Sequence, residues 1–321
     1  MKQPEPVLAS SNFYFDCEDI PVAVQRVLAA DAPSHPHDFT TIPHRHDFAE
    51  LVIVASGSGI QVIDRESYAV SAGDVFLIGG ETAHHFVKRG AFALVNVQFS
   101  GDRLPLPVNW LRNLPGYNVL FELEPSVRTP ETFKHRLTLD PRALADVLQG
   151  AEALRNELEM RRAGYQAAAF ELLLKLIIFL SRTYRPHAET ASVPVFTVAA
   201  AISLMEKNFM KKIPLATLAR TGGMSVNSFL RNFRQCTGAS PIQYLDQLRL
   251  GHAATMLRTD NRSITEIAGA CGFADSNYFS RKFHDRYGMS PRTYRDRRAD
   301  VFRPVHALPG DRGTSGRNPG F

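Results

Sequence analysis

Two stretches of the chain repeat one another: LARTGGMSVNSFLRNFRQCTGASPIQY (218–244) and IAGACGFADSNYFSRKFHDRYGMSPRTYR (267–295). Gly238-Ala-Ser-Pro-Ile-Gln-Tyr244 returns 50 residues later as Gly288-Met-Ser-Pro-Arg-Thr-Tyr294. At the same offset Phe229 and Phe233 match Phe279 and Phe283, and Asn227 and Arg231 match Asn277 and Arg281. Upstream, Leu218-Ala219 and Gly223-Met224 match Ile267-Ala268 and Gly272-Phe273 at an offset of 49, so one residue is inserted at the turn. Several matches in one register mark an internal duplication. Each copy predicts a short helix (Leu215–Thr221; Ile264–Cys271), a glycine-containing turn and a second helix (Ser225–Cys236; Ser276–Tyr287), which is a helix-turn-helix. Phenylalanines four apart share the core face of each second helix.

The opposite side of these helices carries the chemistry. The first copy presents Asn227, Arg231, Arg234 and Gln235; the second presents Asn277, Arg281, His284 and Asp285. Asn and Arg at i, i+4 share a face, and their forked groups match adenine and guanine edges in a major groove. Two such helices suit successive major grooves, roughly 34 Å apart, with a helix at Pro241–Arg258 setting the spacing. Charge agrees. Residues 1–194 hold 18 Lys+Arg against 23 Asp+Glu, while residues 195–321 hold 19 against 9. The whole chain's net +5 therefore hides an acidic half and a basic half suited to a phosphate backbone.

The acidic half reads differently. Glu50–Val54, Ile60–Ile63, Tyr68–Val70, Val75–Ile78, His85–Val87 and Ala91–Phe99 predict short strands punctuated by turn signals such as Ser56-Gly57-Ser58-Gly59 and Gly73-Asp74, the pattern of a β-sandwich or barrel. The first thirty residues show no clear period, and the Pro-rich 101–140 reads as loop or a few further strands. Helices follow at Pro141–Arg161, after the N-cap candidate Asp140, and at Tyr165–Tyr184. Their apolar stripes (Leu144, Val147, Leu148, Ala151, Leu154, Leu158; Phe170, Leu173, Leu174, Ile177, Ile178) fit either an intramolecular core or a homodimer interface. Polar residues 185–194, with Pro near both ends, read as a linker. The expected architecture is α+β with two domains. A barrel with two following helices occupies 1–184, an all-α double helix-turn-helix domain occupies 195–298, and the tail 299–321 is expected to be disordered.

The chain has 321 residues, 44% apolar and 21% charged, ordinary values for a globular protein. Cys17, Cys236 and Cys271 form no CxxC pair or disulfide framework, which points to a reducing cytoplasm. The N-terminus lacks an apolar signal core, and Ala167–Leu180, interrupted by Glu171 and Lys175, is too short for a bilayer and reads as a buried helix.

Residues 199–298 resemble the DNA-binding domain of the AraC/XylS family of bacterial transcription regulators. The match rests on the small residues, the Gly-Phe turn, the Phe-x-x-x-Phe pair and the Gly-x-Ser-Pro corner of 267–295. The resemblance implies that Asn227 and Arg231 in the first helix, and Asn277 and Arg281 in the second, face bases. Arg234 and Lys282 suit phosphates, and Ser276 completes the DNA-facing set. Leu230 stands where some relatives carry a polar base reader. The family implies an activator that contacts RNA polymerase.

In the amino half, His44-x-His46-x₃-Glu50-x₆-Gly57 and Gly73-x₁₀-His84 resemble the two motifs of the cupin barrel. In metal cupins three histidines and a glutamate hold a transition ion, a donor set suited to Zn, Fe, Mn or Ni. Gly79, Glu81 and Lys88 depart from the second motif. Barrel-bearing AraC relatives generally use the pocket for an effector, often a sugar. Three roles for His44, His46, Glu50 and His84 thus stand open: effector binding, a divalent transition metal, or a structural cluster. Pro43–Leu51, Gly57–Ile60 and Leu94–Val97 resemble regulators of rhamnose-type sugar catabolism. The reading is a DNA-binding regulator, not an enzyme, with double-stranded DNA, a small-molecule effector, RNA polymerase and a second copy of itself as partners. The alternative is a metal-dependent cupin isomerase or dioxygenase fused to a DNA-binding domain.

Overall fold

The computed structural model describes residues 5–15, 19–27, 41–80, 82–88, 92–126, 128–129, 133, 136–184 and 194–297. The segments read as linker (185–194, except Pro194) and as tail (299–321), together with Cys17, Glu81 and the side chain of Lys88, lie outside the described residues. The chain divides into two compact units, within Met1–Leu245 and within Asp246–Phe321.

The first unit is built on two five-stranded sheets. One runs β1 (Val7–Ala9), β3 (His44–His46), β8 (His84–Lys88), β5 (Ser58–Ile63), β6 (Glu66–Ser71). The other runs β10 (Leu137–Thr138), β7 (Asp74–Gly79), β4 (Ala49–Ser56), β9 (Ala93–Phe99), β2 (Val22–Val27). Along β4, Val52 and Val54 join the apolar core made with Phe76, Ile78, Phe86 and Leu94. Period-two alternation puts Glu50 on that same inner face. Leu51 and Ile53 alternate to the other face and are buried too, so the strand reads as a continuous apolar run.

Two regions depart from the sequence reading. The unpatterned N-terminal stretch contains β1 and β2, and β2 pairs along its whole length with β9. It is an edge strand with only Val22 and Val27 buried, which weakens its period. In the Pro-rich 101–140, β10 is one of the expected further strands, but 108–126 forms turns α1 (Val108–Leu111), α2 (Pro115–Tyr117) and α3 (Glu124–Ser126) around a π-helical stretch, Asn118–Leu123. Pro115 sits in a first helical turn, where its missing N–H costs nothing.

Helix α4 (Pro141–Met160) begins at Asp140, whose carboxylate accepts from the N–H of Arg142 and Ala143 at 2.9 Å each. It packs on β2 and β9, and α5 (Tyr165–Thr183) packs on α4. Leu173, Ile177 and Leu180 of α5 are buried. No helix among the described residues is long and apolar enough to cross a membrane.

The repeated grammar becomes repeated geometry. Helices α6 (Pro194–Asn208), α7 (Leu215–Arg220) and α8 (Val226–Thr237) belong to the first unit. Helix α9 (Pro241–Thr259) crosses the boundary between the units. Helices α10 (Ile264–Ala270), α11 (Ser276–Tyr287) and α12 (Pro291–Asp296) belong to the second. Helices α8 and α11 begin at side-chain caps, Ser225 and Asp275, and both end at left-handed glycines, Gly238 (φ 71) and Gly288 (φ 67). The Ser-Pro corner then starts the next helix; Ser290 caps the N–H of Thr293 at 3.1 Å. Phe229, Phe233, Phe279 and Phe283 are fully buried. Cys236 and Cys271 are buried as well, and burial pushes each thiol up to about 11.

Candidate functional sites

On the two reading helices, Phe229/Phe233 and Phe279/Phe283 turn inward, so the remaining positions face out. Asn227, Arg231 and Arg234 are exposed on α8, and Asn277 and Arg281 on α11. Ser276, Lys282 and Leu230 are half-buried. On α11 the face is braced. Tyr278 donates its hydroxyl to Asp246 at 2.8 Å, and the Lys282 ammonium lies 5.7 Å from the Tyr278 ring centre. Arg281, Lys282, His284 and Asp285 line an open groove of about 540 Å³ with Tyr278 and Ser280. Each copy thus presents an Asn/Arg pair to the outside, a geometry suited to a major groove.

In the barrel, His44, His46, Glu50 and His84 come together, all buried. His44 and His46 share one side of β3, with exposed Arg45 between them. His44 pairs with His84 across β3 and β8. Ligand atoms of His44, Glu50 and His84 lie within 4.8 Å of one another. The His44 and His84 rings are 4.2 Å apart, and His46 stacks on Phe48 at 4.3 Å.

Two residues that the sequence reading did not single out complete the cluster, and a third, Gln61, is buried elsewhere on the same sheets. Asn96 and Gln98 donate side-chain N–H to Glu50 Oε1 at 2.8 and 3.1 Å. Gln61, fully buried on β5, faces Phe86 across the register. A signal existed. In β9, ALVNVQF, Asn96 and Gln98 alternate with valines buried on the other face, so the amides had to point into the barrel.

The imidazoles are held in one tautomer. Nδ1 of His44, His46 and His84 lies 2.8, 2.8 and 3.1 Å from the carbonyl oxygens of Ile42, Phe48 and Thr82. A carbonyl only accepts, so each Nδ1 carries a proton and donates, which turns each Nε2 toward the pocket. Burial, aided by neighbouring His84, pushes His44 down to about 3, so that ring is neutral at pH 7. Burial alone would raise the Glu50 carboxyl. The adjacent His46 and His84 outweigh it and hold the carboxyl well below its usual range. His84 Nε2 is 3.2 Å and His46 Nε2 3.8 Å from Glu50 Oε2. When the rings are neutral, lone pairs face a carboxylate there, and only a proton, a metal ion or hydroxyl hydrogens from a ligand can satisfy both.

Two facing sheets that bury a polar cluster, in one chain with paired helix-turn-helix readers, define a ligand-binding, DNA-binding transcription regulator. The comparisons agree: an AraC-like ligand binding domain matches residues 31–177, and a helix-turn-helix domain matches 218–297. The HTH-type transcriptional activator RhaR of Yersinia pseudotuberculosis serotype O:3 is 31% identical over 294 residues, covering 91% of this chain and 94% of its own. RhaR of Pectobacterium carotovorum is 31% identical over 274 residues, covering 84% and 91%. The chain belongs to the AraC family of transcription regulators. Among solved structures, an AraC-type transcriptional regulator from Chromobacterium violaceum matches with 33% identity over 32% of this chain and 92% of its own, TM-score 0.31.

Proposed function

We propose that the protein is a sequence-specific transcription activator whose DNA binding responds to a neutral sugar held in the barrel. The observation that carries the ligand class is the hydrogen-bond balance of the interior. Among the described residues of the barrel, His46 Nε2, Asn96 Oδ1, Gln98 Oε1 and Gln61 Oε1 are buried acceptors without a hydrogen-bond partner, against two such donors, Gln61 Nε2 and, over the Phe133 ring, Arg136 Nε. Buried polar groups are ordinarily paired, so the site calls for a donor-rich ligand. Sugar hydroxyls supply donors without adding charge, whereas a carboxylate or phosphate would add acceptors beside Glu50. The RhaR relatives, named as activators, point the same way. Selection of genomic fragments with the full-length protein, with and without a panel of neutral and acidic sugars, tests this. A repeated motif strengthened by a neutral sugar is expected; strengthening only by an acidic one overturns the ligand class.

A second reading rests on the tautomers. Donation of Nδ1–H to a carbonyl is the usual outer-shell arrangement of metal-bound histidine, and His44, Glu50 and His84, with His46 beside them, fit a divalent transition ion. Such an ion would supply a Lewis-acid contact for a ligand oxygen. The chain's own residues then orient the ligand, Asn96 and Gln98 by fixing the Glu50 carboxylate and Gln61 by its free amide.

In the same reading Asn227, Arg231, Asn277 and Arg281 contact bases, while Arg234, Ser276 and Lys282 contact the backbone. Arg281→Ala is expected to weaken operator binding by about 1–3 kcal/mol and to relax one base position; an unchanged preference in a repeated selection would contradict it. The protein acts in the cytoplasm, with RNA polymerase as its partner and no catalytic role. Its α4–α5 face supports a homodimer, because Phe170, Leu174 and Ile178 stay only half-buried while Leu173 and Ile177 fill the intramolecular core. Sedimentation at micromolar concentration checks this, and a monomer alone removes it.

A further inference from the structure

The two helix-turn-helix copies share a sequence grammar but not a setting. The second copy lies in the unit that begins at Asp246, with its own core of Leu250, Leu257, Ile267, Phe273, Phe279 and Phe283. The first copy is packed into the same unit as the barrel. Its seat is α6, and α6 is tied to the π-helical stretch by buried polar contacts. Asn118, fully buried, donates its amide to Ser203 Oγ at 2.9 Å, Ala199 O at 3.3 Å and Arg112 O at 2.9 Å. Ser203 Oγ donates to the same Arg112 carbonyl at 2.9 Å. Arg112 in turn donates Nε to both oxygens of Glu122, at 2.8 and 3.1 Å.

The contact continues to the reader. A Cβ on Gly222, in the turn of the first copy, would lie 1.9 Å from Thr197 Cγ2 of α6, so that turn sits directly on the helix and no side chain fits between them. On its other side the π stretch packs on β7, whose Ile78 stands opposite Glu50 in register. π-helical turns recur at functional sites, and a one-residue shift would exchange their i→i+5 bonds for α-helical i→i+4 ones. Such a shift would carry Asn118 and Glu122 off their partners and give the element two discrete states.

We propose that Asn118 is a positioning residue that delivers the state of the barrel to the first reading helix alone. The half-site read by Asn227 and Arg231 is the regulated one, and the half-site read by Asn277 and Arg281 is a constitutive anchor. The regulatory part rests on the sugar-responsive reading above; the positioning part does not.

Two measurements on full-length protein decide it, with Ser203→Ala as the mild variant and Asn118→Ala as the severe one. In hydroxyl-radical footprints on a selected operator without sugar, Ser203→Ala should need about tenfold more protein or beyond to protect the first half-site, since it loses both the bond from Asn118 and the bond to Arg112 O. Protection of the second half-site should not move. Amide hydrogen exchange over 215–237 should quicken in both variants and stay unchanged over 264–287. Equal weakening at both half-sites, as a general loss of stability would give, overturns the proposal, and so does an unchanged first half-site. With a responsive sugar, scrambling the first half-site should abolish the sugar effect and scrambling the second should preserve it; the reverse overturns the regulatory part. If no sugar affects the wild type, the effector reading fails, and the sugar-free footprint and exchange contrasts still decide the role of Asn118.

Discussion

Replacing Phe283 by alanine is expected to cost about 3–5 kcal/mol and to abolish binding at the second half-site. The ring is fully buried. It lies 5.6 Å from Phe279, 4.5 Å from Tyr287 and 5.3 Å edge-on from Tyr294, so one side chain joins the reading helix α11 to α12. Deletion of a buried aromatic ring removes its transfer free energy and leaves a cavity, together about 3–5 kcal/mol. A small domain has little more than that to lose, since whole domains are stable by about 5–15 kcal/mol and short ones by less. Chemical denaturation followed by circular dichroism should show the unit after Asp246 unfolding at much lower denaturant. A change below about 1 kcal/mol would mean that the cluster is not the core it looks to be.

Glu50→Ala should remove the sugar response while leaving sugar-independent DNA binding in place. One carboxylate oxygen fixes the amides of Asn96 and Gln98, and the other faces His46 and His84. Without it both amides are free to turn, and the ligand loses its central acceptor. Truncation of one partner in a buried, hydrogen-bonded charged set costs about 2–5 kcal/mol, which places effector affinity roughly 30-fold or more below wild type. Calorimetric titration of the sugar into each protein measures it. A wild-type affinity in the variant would show that the ligand does not use this end of the barrel. The same titration on protein dialysed against a chelator separates the two readings of the site. Lost binding, restored by one divalent ion, assigns the metal; unchanged binding assigns the hydroxyls to the protein groups alone.

The reader was legible because its signals are local. Phe229 and Phe233 are one helical turn apart, so their spacing alone puts them on one face. The Gly-x-Ser-Pro corner names a helix stop, a cap and a first-turn proline within four residues. His44, His46 and Glu50 were legible for the same reason, being close in sequence on adjoining strands. Gln61 lies far from these residues along the chain, and in a strand of mixed polarity it reads as an outward polar position. Asn96 and Gln98 were recoverable only by noticing that their strand is apolar on its other face. The helical turns over 108–126 escaped because four prolines at 105, 107, 115 and 125 look like breakers.

By itself, then, the sequence determined the duplication, the two phenylalanine-backed helices and the grouping of His44, His46 and Glu50, since each follows from spacing along one or two neighbouring elements, while the resemblance to a cupin barrel added His84. Tertiary structure alone decided that Glu50 is held by two amides, that all three imidazoles turn Nε2 inward, and that the first reader packs with the barrel while the second stands in its own unit. Those facts depend on which distant surface covers a given face. Asn118 and Ser203 are 85 residues apart, and no periodicity links them: their pairing exists because burial leaves each amide and hydroxyl only the partners that the fold brings within hydrogen-bonding reach.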